Sequence, residues 1–123
     1  MQFIVLTAFY AILHEKQEQL VRLKTCKANL ESVQDEFFYN EKICSYPELS
    51  PYSWHGTLAA KFEDIRLGGF LTSYIDLENR QLNEVISLVD NKISEIELEI
   101  EALKQRIGYL EEQARREKEK QTK

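Results

Sequence analysis

Few side chains in this sequence could do covalent or metal chemistry, and they are scattered: His14, His55, Cys26, Cys44 and the adjacent carboxylates Glu63 and Asp64. A nucleophile needs a base within hydrogen-bond reach and a third group to orient that base, and no stretch of the chain spaces such residues together. A metal centre needs three or four converging ligands, for which two distant histidines offer too few companions. On a helix, neighbouring Glu63 and Asp64 diverge by about 100°, so they read as a solvated helix start or a partner contact. The two cysteines would stand on the order of 20 Å or more apart along helical chain, beyond disulfide reach. Cys26 falls at an apolar position and reads as a small hydrophobe. The sequence thus predicts no enzyme, no cofactor and no metal. Trp54 is the remaining chemical feature: an indole among polar residues either caps the end of a core, with Tyr52, Leu58 and Phe62 to pack against it, or anchors a partner.

The elements that hold Trp54 follow from the prolines. Pro47 and Pro51 both fall between two runs of helical periodicity, and proline removes a helix donor and clashes with the preceding turn. The chain therefore reverses there. Leu20, Leu23, Cys26, Leu30, Val33 and Phe37 alternate in spacings of three and four and mark one face of a first helix over about 3–41. A tip over 42–56 follows, with Ser50-Pro51 or Thr57 as possible caps, and a second helix runs over about 57–115. Gly68-Gly69 weakens that helix and predicts a kink or brief break. The fold class is all-α: an antiparallel helical hairpin with a coiled-coil C-terminal extension, one domain over 1–118. The charged tail 116–123 has no apolar face and is expected to fray.

The second helix carries an unbroken alternation of four and three: Ile75, Asn79, Leu82, Ile86, Val89, Ile93, Ile96, Ile100, Leu103, Ile107 and Leu110. That is a coiled-coil seam, in which Asn79 is either a register-fixing polar member or a solvated end position. If helix one, of about 39 residues, pairs from the tip with a helix starting at Thr57, it runs out near Ile96. Ile100, Leu103, Ile107 and Leu110 are then left for an outside helix, either a partner or a second copy.

Composition removes other classes. The net charge is −5, and no run combines clustered Lys or Arg with aromatics, so nucleic acid is not expected as a partner. The apolar opening Met1–Leu13 lacks a preceding basic residue and is shorter than the ~20 residues of a membrane span. Phe9 and Leu13 instead continue the packing face of helix one, with Phe3 to Leu6 covering the far end of helix two.

The string Pro47-Glu-Leu-Ser-Pro-Tyr-Ser-Trp-His-Gly56, followed by Ala60-Lys-Phe-Glu-Asp-Ile-Arg66 and the long heptad helix, resembles the WxG-type superfamily of helical-hairpin proteins and, within it, the YwqH-like family. The resemblance spans roughly Leu20 to Gln113 and makes Trp54, Gly56, Phe62 and Asp64 the hairpin-tip motif. It implies a small accessory protein of type VII secretion in Gram-positive bacteria. Such a protein binds the helical LXG region of a toxin, and other small helical proteins, in the cytoplasm before export, and needs no cleavable signal peptide. The superfamily's export signal is a tyrosine followed four residues later by an acidic residue. Tyr74-Ile-Asp-Leu-Glu78 has those letters but lies inside helix two, where Tyr74 also reads as a packing residue.

Overall fold

The computed structural model describes residues 2–45 and 56–122; Trp54, Pro47 and Pro51 of the expected tip lie outside the described residues. Every described residue except Gly56 is helical, so the chain is all-α. Helix α1 (Gln2–Asn40) leads into a 3₁₀ turn, Glu41–Ser45. The second helical run comprises α2 (Thr57–Glu63), a π-wound stretch Asp64–Leu71, α3 (Thr72–Asp76), a second π-wound stretch Leu77–Gln81, and α4 (Leu82–Thr122). The chain forms two compact units, Met1–Cys26 with Val89–Lys123, and Lys27–Leu88. In each, the first helical run pairs antiparallel with the second, which makes the fold a helical hairpin.

The start of the second run explains one of its glycines. Gly56 has φ 104° and ψ −169°, a region open essentially to glycine alone, and its carbonyl accepts the first helical hydrogen bond from Ala60 N–H at 3.0 Å. Thr57 is therefore the first helical residue and not a cap. Of the kink or break expected at the glycine pair, the break is not found. Gly68 and Gly69 sit inside the π-wound stretch Asp64–Leu71, and the helix passes through them without a break. Hydrogen bonding to the fifth residue back absorbs the irregularity, and the Thr72 hydroxyl follows the same spacing, donating to the Leu67 carbonyl at 3.3 Å.

In the unit of 1–26 and 89–123, α4 supplies the buried core: Ile93, Ile96, Ile100 and Ile107, with Leu103 and Leu110 half-buried. Leu6, Phe9, Leu13, Leu20 and Leu23 of α1 are half-buried in the same unit. Phe3 and Ile4, expected to cover the far end of helix two, are exposed. Polar bonds fix the register: the Tyr10 hydroxyl donates to the Glu111 carboxylate, and Lys16 Nζ lies 2.7 Å from Glu99 Oε2. That hydrogen bond raises the Lys16 pKa and lowers that of Glu99. Helix α4 continues to Thr122, through the stretch expected to fray, and Arg115 bonds Glu112 at 2.6 Å and Glu119 at 3.3 Å along it.

In the unit of 27–88, Phe37 and Tyr74 stack with ring centroids 4.9 Å apart, and the Tyr74 hydroxyl donates to the Phe37 carbonyl at 2.7 Å. Gln34 Nε2 donates to the Glu78 carbonyl at 2.9 Å and to Asn83 Oδ1 at 2.7 Å. The turn Glu41–Ser45 packs on Asp64–Leu71. Helix one therefore meets the second run more than a turn past its start, not at Thr57. This later register, together with the smaller rise of π winding, corrects the expected overhang: α1 does not run out at Ile96, and Ile100 and Ile107 are buried inside their own chain.

The π-wound stretch Leu77–Gln81 inserts one residue into the helical phase, so Glu78 is buried and Asn79 is exposed, which is the solvated one of its two readings. On α1 the inner stripe takes Lys27 and Gln34 as half-buried members, while Cys26 and Val33 are exposed.

Candidate docking surface

Two paired helices can cover only one stripe of each other, and α1 has no fully buried residue among those whose side chains are described. Large apolar side chains consequently face outward in both units. Around 89–123 these include Leu98 and Tyr109, and on the first helix Val5, Ile12 and Val21. In the unit of 27–88 the concentration is greater: Phe38, Tyr39, Ile43, Leu58, Phe62, Ile65 and Phe70 are all exposed. Phe38 and Tyr39 meet edge to face at 5.7 Å and, with Leu71, Glu41 and Lys42, line a groove of about 530 Å³.

Among the described residues, the unit also holds one buried charged side chain. Glu78 is only 3% exposed, and its Oε2 has no hydrogen-bond partner. Burial pushes its pKa up, and the Glu41 carboxylate adds to the shift. Asp76 contrasts with it. The Arg80 guanidinium grips both its oxygens, at 2.7 and 2.8 Å, Gln81 donates at 3.0 Å, and its pKa is lowered to about 2.

The structure disperses the residues singled out in the sequence. Of the tip motif, Gly56 supplies a backbone conformation, Phe62 is exposed beneath the Arg66 guanidinium at 5.4 Å, and Asp64 is exposed at the head of the first π-wound stretch; Trp54 lies outside the described residues. Of the four residues assigned to an outside helix, Ile100 and Ile107 are buried and Leu103 and Leu110 half-buried, so they build the hairpin before they can meet anything else. Tyr74 packs on Phe37, and Glu78 is buried, so neither residue of the export-type spacing stands free in solvent. His14 lies 3.2 Å from Glu18 on the surface of α1. Among the described residues no group of His, Cys, Asp and Glu is placed to hold a metal, and no helix is long and apolar enough to cross a membrane.

Sequence reasoning missed the groove and the burial of Glu78. A signal was present: Leu71, Tyr74, Glu78, Leu82 and Ile86 end in three consecutive spacings of four, the mark of a phase slip.

The family model described as YwqH-like matches residues 11–118 of the chain. No curated protein and no solved structure matches it.

Proposed function

The chain belongs to the YwqH-like family, and we propose that it is a small helical accessory factor that binds the helical LXG region of a type VII secreted toxin and supports its export. The observation that carries this reading is uncovered apolar surface: Phe38, Tyr39, Ile43, Ile65 and Phe70 in the unit of 27–88, and Val21, Leu98 and Tyr109 in the other, stand exposed on helices, which suits helix-on-helix docking. The complex forms in the cytoplasm ahead of secretion, and in this reading the factor needs no cleavable signal peptide to accompany its partner.

The test is co-expression with the LXG region of the toxin encoded beside the gene, followed by size exclusion with light scattering. A stable mixed complex is the expected result. Separate elution of the two proteins at micromolar concentration would overturn the reading. A complex of the chain with itself alone would favour a self-associating coiled-coil protein.

A further inference from the structure

We propose that the π-wound stretch Leu77–Gln81 is a register switch set by one proton. With the Glu78 carboxyl neutral, the inserted residue is kept and Glu78 sits in the seam; with it ionised, the stretch returns to α winding, Glu78 turns to solvent and Asn79 takes its place. The inference concerns this chain alone and holds whichever partner the exposed surface receives.

Three observations converge on the stretch. The first is burial without a partner: Glu78 is 3% exposed, and its Oε2 accepts no hydrogen bond. Gln34 Nε2, a donor at the same level, is bound to the Glu78 backbone carbonyl at 2.9 Å and to Asn83 Oδ1 at 2.7 Å, and so bypasses the carboxyl. A carboxylate in such a place is costly to ionise, whereas the neutral acid escapes most of that cost.

The second is the surrounding charge. From the inner stripe of α1 the second run is faced by Lys27, two turns before Gln34, and by Glu41, two turns after it. Lys42 follows Glu41 on the 3₁₀ turn, and Tyr74 stands one turn back on α3. Asp76 and Glu84 are engaged by Arg80. Burial, and after it the like charge of Glu41, pushes the Glu78 pKa up.

The third is a part that can move. One inserted residue puts Glu78 inside in place of Asn79, and giving it up turns the run before it by about 100°. The other register is present in the sequence, where Ile75, Asn79 and Leu82 continue the alternation of four and three, and Ile75 is already half-buried beside Tyr74. Turning the run that far would part the Phe37 and Tyr74 rings and break the Tyr74 hydroxyl bond to the Phe37 carbonyl. Because the folded pKa lies above the ordinary value of 4.5, the register with Glu78 inside is fully favoured below that value and is lost as pH rises through the folded pKa.

The experiment follows the full chain by NMR from about pH 4 to about pH 9, reading the Glu78 carboxyl carbon and the Overhauser contact between the Phe37 and Tyr74 rings. The carboxyl should titrate above 4.5, and the ring contact should fade with the same midpoint while helical content by dichroism stays constant. Glu78→Gln, a neutral stand-in for the protonated acid, should keep the contact at every pH. Asn79→Leu, which offers an apolar side chain to the other register, should favour that register about tenfold and lower the midpoint by about one pH unit. A carboxyl that titrates at the ordinary value, a ring contact indifferent to pH, a contact that fades alike in Glu78→Gln, or a fall in helical content at the midpoint overturns the proposal. Should Glu78→Gln fail to fold, Asn79→Leu decides, since its site is exposed, and an unmoved midpoint there overturns the proposal as well.

Discussion

Replacing Ile107 by alanine tests the register directly, because a hairpin paired from Thr57 would leave this residue exposed, whereas here it is 5% exposed. Truncating a buried isoleucine to alanine costs about 2 to 5 kcal/mol, through lost transfer energy and the cavity left behind. The facing α1 residues are only half-buried and can close in, which places the loss near the lower figure, roughly 2 kcal/mol. Unfolding entropy of about 2.1 cal/mol/K per residue over a chain of this length converts that into a fall in Tm of roughly 8 °C. The assay is thermal unfolding by dichroism, with Leu98→Ala as internal control. Leu98 is 72% exposed on the same helix, and its truncation should change stability by no more than about 0.5 kcal/mol. If the two variants melt together, Ile107 is not buried by α1 and the pairing described above is wrong.

Two further outcomes follow from the backbone and from charge. Glycine to alanine should have opposite signs at two places: Gly56→Ala should destabilise by about 1 to 3 kcal/mol because of its φ of 104°, whereas Gly68→Ala and Gly69→Ala, where an added Cβ meets nothing within 4 Å, should each stabilise by about 0.5 to 1 kcal/mol in denaturant titrations. The Asp76 carboxyl should titrate by carbon NMR at about 2 in the folded chain. Since its folded pKa is depressed, its contribution is present above the ordinary aspartate value of about 3.9 and is lost as pH falls through about 2. Arg80→Gln should return the midpoint toward that ordinary value.

The fold class was legible because the strongest determinants are local: two runs of helical spacing and two prolines between them. The burial of Ile93 and Ile96 was likewise written into the alternation of four and three, whereas for Ile100 and Ile107 the alternation marked the face but not the helix that covers it. Register was not, since it depends on where the end of α1 first meets the second run, and neither Glu41–Ser45 nor the π winding announces itself through apolar spacing. Glu78 is buried where the alternation had placed Asn79, one extra residue turning the helix past the expected phase. Gly56 was recognisable as part of a motif, but its reason is conformational and needed a dihedral angle. The groove of Phe38, Tyr39 and Leu71 combines residues from both runs, which periodicity along one run cannot join.

The bonds that set the register also differ greatly in the length of chain they enclose. Phe37 and Tyr74 are 37 residues apart in sequence, whereas Tyr10 and Glu111 are separated by 101. Closing the longer loop first would cost about 0.9 kcal/mol more in chain entropy than closing the shorter one. Folding that begins where Gln34 and Phe37 meet Glu78 and Tyr74 avoids that penalty, because each new turn then closes only a small additional loop. The aromatic pair Phe37 and Tyr74 is thus the natural place for a nucleus, with the isoleucine seam closing after it.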